Sequence, residues 1–212
     1  LLLLATTVPA TAEDLLSSSD TLFGGQVSGD IFQVGLSGGA AGANNWPGAE
    51  APLQALDGLG QKYLNFAKFN TGIVVTPAIG PSLATSLKLW TANDSEVRDP
   101  ASYEVYGTNT EPGNGPFPVS SFTLIASGDL TLPSSRNTGG ANALNDANLQ
   151  TVDFNGNTTF YTSYMIIFPT VKNAGSANSM QIAEIQLDGL VGLQDDADGD
   201  GLSDVYENAN GC

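Results

Sequence analysis

Twelve consecutive residues near the carboxyl end have the side chains and the spacing to hold a hard metal ion. They run from Asp196 to Glu207 and read DADGDGLSDVYE, with Asp at the first, third, fifth and ninth positions. Alternate side chains of a tightly curled loop point at one ion, and Gly201 permits the sharp bend. Oxygen ligands in this number favour Ca²⁺ over Mg²⁺. The sequence therefore predicts a calcium site rather than a solvated acidic linker, and its ligands are Asp196, Asp198, Asp200, the Leu202 carbonyl, Asp204 and Glu207.

The composition excludes several other chemistries. The chain has no histidine, and its single cysteine is Cys212. Nucleophile pairs that depend on histidine and histidine-bearing zinc sites are therefore ruled out. A net charge of −16 repels phosphate backbones and anionic lipid surfaces. We expect no nucleic-acid partner and no insertion into a membrane.

Catalysis by this chain would have to use carboxylates, Lys or Tyr. The best carboxylate pair is Asp94 with Glu96 or Asp99. A glycosidase needs two carboxyl groups about 5 to 10 Å apart across a cleft. The sequence supplies the carboxylates but indicates no cleft, so we expect that the protein is not an enzyme.

Short apolar or alternating stretches, separated by Gly, Pro, Asn and Asp, predict an all-β fold. About nine strands with turns between them are typical of a β-sandwich or jelly roll. The intervals 35–53, 109–121 and 132–148 are poor in apolar residues and are interpreted as surface loops. The predicted strands are 29–34, 62–67, 72–76, 85–92, 102–107, 122–126, 149–154, 163–168 and 181–187.

The two ends of the chain differ from this body. Residues 1–12 combine an apolar run with a small-x-small pattern, which favours the remnant of a secretory signal over a short buried strand. No later apolar stretch reaches the roughly 20 residues of a membrane span. We therefore expect a secreted protein with a sandwich over 13–192 and a calcium-binding segment over 193–212. Because the body has no cysteine pair, calcium is the expected means of stiffening its loops.

The acidic segment resembles thrombospondin type 3 repeats and related single calcium loops of exported bacterial proteins. The stretch before it, Ile182 to Leu187, alternates like a strand, so no entering helix precedes the loop. The resemblance covers about the last 17 residues, and such repeats usually occur in series. It implies a calcium-stabilised extracellular segment.

The body resembles the galactose-binding-like jelly roll of discoidin-type modules and carbohydrate-binding modules. Three blocks carry the resemblance and occur in the order of the family: 45–66 (containing NWPGAEAP, ALDG and KYLNF), 98–109 (RDPASYEVYGTN) and 181–189 (QIAEIQLDG). Together they span most of the chain. The resemblance implies a jelly-roll β-sandwich that is usually an accessory, non-catalytic module.

In that family a structural calcium joins the loop after the first strands to the last strand. The resemblance assigns this role to Asp57 and Glu184, with carbonyls near 54, 62 and 183 as further ligands. Leu59 and Lys62 stand where Asn and Thr are usual, so two oxygen ligands are lost. The alternative for Glu184 is a salt bridge to Lys62 in place of the ion.

Aromatic and polar side chains on the loops are the candidates for binding a sugar. Trp46 lies in a Gly- and Asn-rich loop and is predicted to be the stacking platform, whereas Trp90, Tyr103 and Tyr106 lie in strands and are expected to be buried. Asn93, Asp94 and Arg98 form a polar cluster that could hydrogen-bond a sugar. The neighbouring Asp99-Pro100 pair equally favours a turn that fixes the following strand.

These features predict a non-catalytic extracellular calcium-binding module that attaches to a glycan or to an extracellular surface protein. The alternative is a structural subunit or spacer of an extracellular fibre, sheath or surface layer. In that case calcium would stiffen the joint, and the chain would self-associate. Acidic charge and abundant Asn and Thr suit both hypotheses.

Overall fold

The structure is a computed structural model that describes residues 12–154 and 156–192. Its strands are β1 (Glu13–Asp14), β2 (Thr21–Ser28), β3 (Ile31–Val34), β4 (Leu36–Ser37), β5 (Asn45–Trp46), β6 (Tyr63–Asn65), β7 (Thr71–Thr76), β8 (Ser82–Trp90), β9 (Ser102–Thr108), β10 (Phe117–Pro118), β11 (Thr123–Asp129), β12 (Leu149–Asp153), β13 (Ser163–Phe168), β14 (Met180–Ile182) and β15 (Glu184–Val191). The helices in these ranges are short 3₁₀ turns at Gly48–Glu50, Pro52–Ala55, Glu96–Arg98, Val119–Ser121 and Asp146–Asn148.

Two antiparallel sheets form the sandwich. The smaller sheet has the strand order β1-β15-β8-β12, and the larger has the order β10-β3-β2-β7-β13-β9-β11. Two minor sheets, β14-β6 and the parallel pair β4-β5, extend the framework. The all-β sandwich prediction is confirmed.

Alternation along the central strand β7 explains why the larger sheet is apolar on both faces. On β7, Ile73 and Val75 point into the core between the sheets, where they meet Leu87 and Ile185 of the smaller sheet. Val74 points to the opposite face of the larger sheet and joins a second apolar cluster. Phe117 and Phe122, which flank the turn 119–121, cover that outer face. The strand period of two thus divides the apolar residues between two separate cores.

The registers define two ends of the sandwich. Trp90 at the end of β8 lies opposite Glu184 at the start of β15, and we call this the loop end. Ser82 lies opposite Val191 at the other end of the same strand pair. Eight residues of β15 span about 25 Å, so Gly192 lies far from the loop end. Glu13 pairs with Gly189 near the same far end.

Of the three intervals expected to be loops, two contain short strands. The 35–53 interval holds β4, β5 and two 3₁₀ turns, and the 109–121 interval holds β10. Backbone hydrogen bonds such as Gly38 N to Trp46 O, at 2.8 Å, fold the first interval against the body. Among the described residues, no helix is both long enough and apolar enough to cross a membrane.

Candidate functional site

Glu184 begins β15 with its carboxylate buried at the loop end. Its side-chain Oε1 accepts a hydrogen bond from the backbone N–H of Gly58 at 3.1 Å, and the residue is only 4% exposed. Within the described ranges, Oε2 has no hydrogen-bond partner. Burial, and to a smaller extent the nearby charge of Asp57, raise the pKa of Glu184 to about 8. A buried carboxylate oxygen without a donor fits a bound cation or a proton.

Asp57 lies beside Glu184, because Gly58 follows Asp57 directly and donates to Glu184. Its Oδ1 accepts the backbone N–H of Leu59 at 2.8 Å, and burial raises the pKa of Asp57. The structure therefore brings the two predicted carboxylates together. In the described part of the chain, no group of three or more His, Cys, Asp or Glu side chains could hold a metal ion. A cation between these two would need backbone carbonyls as well, and its presence stays a prediction.

Lys62 does not pair with Glu184. Its ammonium lies 2.9 Å from Asp94 Oδ1 and 3.5 Å from Glu50 Oε1, and it donates to Gln181 Oε1 at 3.4 Å. The residue is only 6% exposed. The predicted alternative, a Glu184–Lys62 salt bridge, is wrong because the loop turns between Gly58 and Lys62 and directs the lysine at the 91–101 segment.

The three predicted polar ligands lie together on that segment. Asn93 and Asp94 are exposed, and Arg98 is partly exposed. Partial burial raises the pKa of Asp94, but Lys62 and Arg98 outweigh burial and hold it below its usual range. The closest approach of Arg98 to a carboxylate is 3.8 Å, from Nη1 to Asp94 Oδ1. Across the described residues, the Arg98 side chain donates no hydrogen bond, so its guanidinium is available to a ligand.

Buried ion pairs hold the other end of this segment. Arg136 donates two hydrogen bonds to the fully buried carboxylate of Asp99, at 2.8 and 2.7 Å, and Lys172 lies 3.3 Å from the same group. Lys172 also pairs with Glu96 at 3.0 Å. The turn interpretation of Asp99 agrees with these contacts. All three carboxylates considered for catalysis, Asp94, Glu96 and Asp99, are thus engaged by cations.

A small polar depression adjoins this cluster. Its volume is about 50 Å³, and its lining consists of Glu50, Gly60, Gln61, Lys62, Asn93, Gly139 and Gly140. No aromatic side chain is among these lining residues. Backbone carbonyls, an ammonium and amide groups offer both donors and acceptors, which is the surface that hydroxyl-rich ligands require.

Trp46 is not an exposed platform, and this prediction is wrong. The residue is 8% exposed, and its indole packs edge-on against Tyr63 with ring centroids 5.9 Å apart. Gly35 makes the packing possible, because a Cβ there would lie 2.5 Å from Cζ3 of the indole. The edge of Trp46 lines an apolar cleft of about 410 Å³, which shares no residue with the polar depression. Of the strand aromatics, Tyr103 is buried, while Trp90 and Tyr106 are half-buried.

Gln181 was not expected to belong to the site. It is fully buried, and its amide group donates to the backbone oxygens of Asp94, at 2.6 Å, and Ser95, at 3.2 Å. Glu50 was also missed. Both lie within the motif blocks, but only the fold shows that Glu50 contacts Lys62 and that Gln181 contacts Asp94, 87 positions away.

The described residues form a jelly-roll β-sandwich with a polar cluster at one end. No protein-family model matches the sequence, and no curated protein matches it. Solved structures do match. An F5/8 type C domain from Bacteroides fragilis has a TM-score of 0.52 and 12% identity, with 86% of this chain and 99% of that chain covered.

Two carbohydrate-binding modules from Clostridium perfringens are also similar. The family 32 module of NanJ, in complex with galactose, has a TM-score of 0.50 and 15% identity over 84% of this chain and 99% of its own. The module CpGH89CBM32-5, in complex with GalNAc-β-1,3-galactose, has a TM-score of 0.50 and 13% identity over 82% and 99%. Identities this low show the fold alone, and the jelly-roll prediction is confirmed. The predicted calcium loop, 196–207, lies outside the described residues.

Proposed function

We propose that this chain is a non-catalytic extracellular module that binds a glycan at its loop end. One observation carries the proposal: the Arg98 guanidinium makes no hydrogen bond among the described residues, yet it lies 3.8 Å from the exposed Asp94, on the same short segment as the exposed Asn93. Arg98 and Asn93 can donate to sugar oxygens, and Asp94 can accept from sugar hydroxyls. The similar modules were solved with galactose and GalNAc-β-1,3-galactose, so galactose-type sugars are the first probes.

Replacing Arg98 with alanine should weaken binding of a galactose-type glycan about tenfold or more. Hydrogen bonds to charged groups contribute about 1.5 to 3 kcal/mol each. The matched control is Lys68→Ala, which also removes one positive charge but whose ammonium donates to the Ala174 carbonyl on another loop. Calorimetric titration of both variants after a glycan array would measure the effect. Equal affinity of the Arg98→Ala variant and the wild type would contradict the proposed site.

One feature favours the second candidate function, a self-associating structural subunit. Strand β11 is a seven-residue edge of the larger sheet, and Leu124 on it is 52% exposed. Exposed edge strands can pair with another copy of a chain. If no glycan binds and calcium instead drives assembly in sedimentation experiments, this second function is favoured.

We also propose that Ca²⁺ binds at two places. Asp57 and Glu184 fit a cation, because Glu184 Oε2 is buried without a donor in the described part of the chain and Asp57 lies next to it. These residues would hold the ion together with backbone carbonyls. The second place is the 196–207 segment, which is proposed from its sequence spacing. Calcium at either place would stiffen loops in a body that lacks disulfides.

Calcium titration should show two binding sites, and the double variant Asp196→Ala, Glu207→Gln should lose one of them. Glu207 would supply two ligand oxygens and a charge, so its loss weakens binding most. Affinities of extracellular loops lie at about 10⁻⁴ to 10⁻³ M, so the titration must reach millimolar calcium. The control is Asp153→Asn, a change of an exposed carboxylate on β12. An isotherm of the double variant that matches the wild type would contradict the loop assignment.

A further inference from the structure

Two short segments each join the Asp57–Glu184 pair to the polar cluster. The first, 57–62, begins at Asp57 and ends at Lys62. The second, 181–184, begins at Gln181 and ends at Glu184. Each segment therefore contributes one carboxylate to the proposed cation site and one side chain that holds the 91–101 segment.

The first segment is tied at three points. Gly58 donates its N–H to Glu184 at 3.1 Å, Gly60 donates its N–H to the Asn142 carbonyl at 2.7 Å, and Lys62 donates to Asp94 at 2.9 Å. Lys62 is four residues along the chain from Gly58, so their Cα atoms are at most about 14 Å apart. Between them Gly60 lines the polar depression. Because this segment is short and hydrogen-bonded, a change that orders Gly58 should also order Gly60 in the depression.

The second segment holds the main chain of the candidate ligand loop. Gln181 donates to the Asp94 and Ser95 carbonyls, and Ser95 has a φ of 31°, which is left-handed for a residue with a Cβ. Such a conformation persists only where its surroundings impose it. The N–H of Ala183 donates to the Trp90 carbonyl at 3.0 Å, which fixes the chain between Gln181 and Glu184. The position of Gln181 is therefore linked to that of Glu184.

We propose that cation binding at Asp57 and Glu184 strengthens ligand binding at Asn93, Asp94 and Arg98, with Gln181 and Lys62 as positioning residues. The inference rests on the proposed function. A cation that bonds both carboxylates orders both segments, so the ligand loses less conformational entropy when it binds the ordered loop. By linkage, the ligand raises cation affinity by the same factor. Couplings of this kind amount to about 5- to 150-fold.

The test uses the full chain carrying Asp196→Ala and Glu207→Gln, so that calcium acts only at the loop end. Calorimetric titration with galactose in chelator and in millimolar calcium should differ at least fivefold in affinity. Gln181→Met keeps the volume of the side chain but removes its hydrogen bonds. In the absence of sugar, the Gln181→Met variant should bind calcium with unchanged affinity. The fivefold difference in galactose affinity between calcium and chelator should fall to near one. The control is Gln26→Ala, whose amide donates to the Phe69 carbonyl on another loop.

A second measurement needs no sugar. On addition of calcium, amide hydrogen exchange at 60–62 and 93–95 should slow in this chain. In the same chain carrying Glu184→Gln as a further substitution, calcium should not change the exchange. Slowed exchange at both segments would support the ordering step of the coupling. If no sugar then binds, the proposed function is contradicted, while the ordering of the loop by the cation stands. Sugar binding of equal affinity with and without bound calcium would overturn the coupling and leave the proposed function in place. Failure of calcium to bind, or exchange that calcium does not alter, would also overturn the coupling.

Discussion

Replacing Trp46 with alanine should lower the free energy of unfolding by about 3 to 5 kcal/mol. The indole is 8% exposed and packs edge-on against Tyr63, which is itself fully buried. Its removal would leave a cavity over Tyr63 and next to Gly35, where the close approach of the backbone prevents a simple collapse. Urea denaturation followed by circular dichroism would measure the loss.

The matched control for this change is Phe69→Ala. Phe69 is 36% exposed on the loop between β6 and β7, so its removal should cost less than half as much. The folded Trp46→Ala variant should still bind sugar, because Trp46 lines the apolar cleft and not the polar depression. A stable Trp46→Ala variant that no longer binds sugar would instead restore the stacking role predicted from the sequence.

The strands that the sequence predicts well are those with uninterrupted apolar alternation. Predicted ranges for β7 and β13 agree with the structure to within one residue. Strand β2 (Thr21–Ser28) was missed over its whole length because Gly24 and Gly25 interrupt the pattern in its middle. The structure explains Gly24: a Cβ there would lie 2.2 Å from Cγ of Pro52. The glycine is thus required by a tertiary contact that the local sequence does not show. In the local pattern the same glycine indicates a turn and not a strand.

Trp46 shows the same limit at the candidate site. Its Gly- and Asn-rich surroundings are typical of an exposed loop, but the parallel pair β4-β5 folds them onto the core. Local composition does not report what packs above a residue. The candidate ligands Asn93, Asp94 and Arg98 could be grouped from the sequence because they lie on one short segment. Their supports, Lys62 and Gln181, come from 32 and 87 residues away from Asp94 and required the fold.

The family resemblance predicted the long-range pairing of Asp57 with Glu184 at the loop end. Glu184 lies 126 residues after Gly58, the residue that follows Asp57, yet the Gly58 N–H donates directly to Glu184. Spacing alone could not have paired them. The resemblance also directed attention to Lys62 as a substitute for an ion, and here the structure differs because Asp94 and Glu50 attract the ammonium.

In the presence of a chelator, the stability of the protein should fall as pH rises from about 4.5 to 8, and Glu184→Gln should remove this dependence. Burial raises the pKa of Glu184 from 4.5 in the unfolded chain to about 8 in the folded protein. Between these values the folded state holds a proton that the unfolded state has lost, so raising the pH favours unfolding. The expected loss is on the order of 4 kcal/mol. The Glu184→Gln variant should therefore be more stable than the wild type at pH 8.

Calcium should oppose the fall in stability at high pH, because a cation at Asp57 and Glu184 stabilises the ionised carboxylate that burial disfavours. At pH 8 we expect calcium to raise the unfolding midpoint of the wild type and to raise it less in Glu184→Gln. The chain has no histidine, so few other groups titrate between pH 5 and 8. The slope of stability against pH therefore reflects mainly the titration of Glu184. Glu104→Gln, which changes a carboxylate that accepts the Tyr106 hydroxyl on β9, should keep the slope of the wild type. Denaturant titrations at pH 5, 6.5 and 8 test this prediction. If the free energy of unfolding changes with pH equally in the wild type and in Glu184→Gln, another group carries the proton. The cation assignment at Glu184 would then lose its main support.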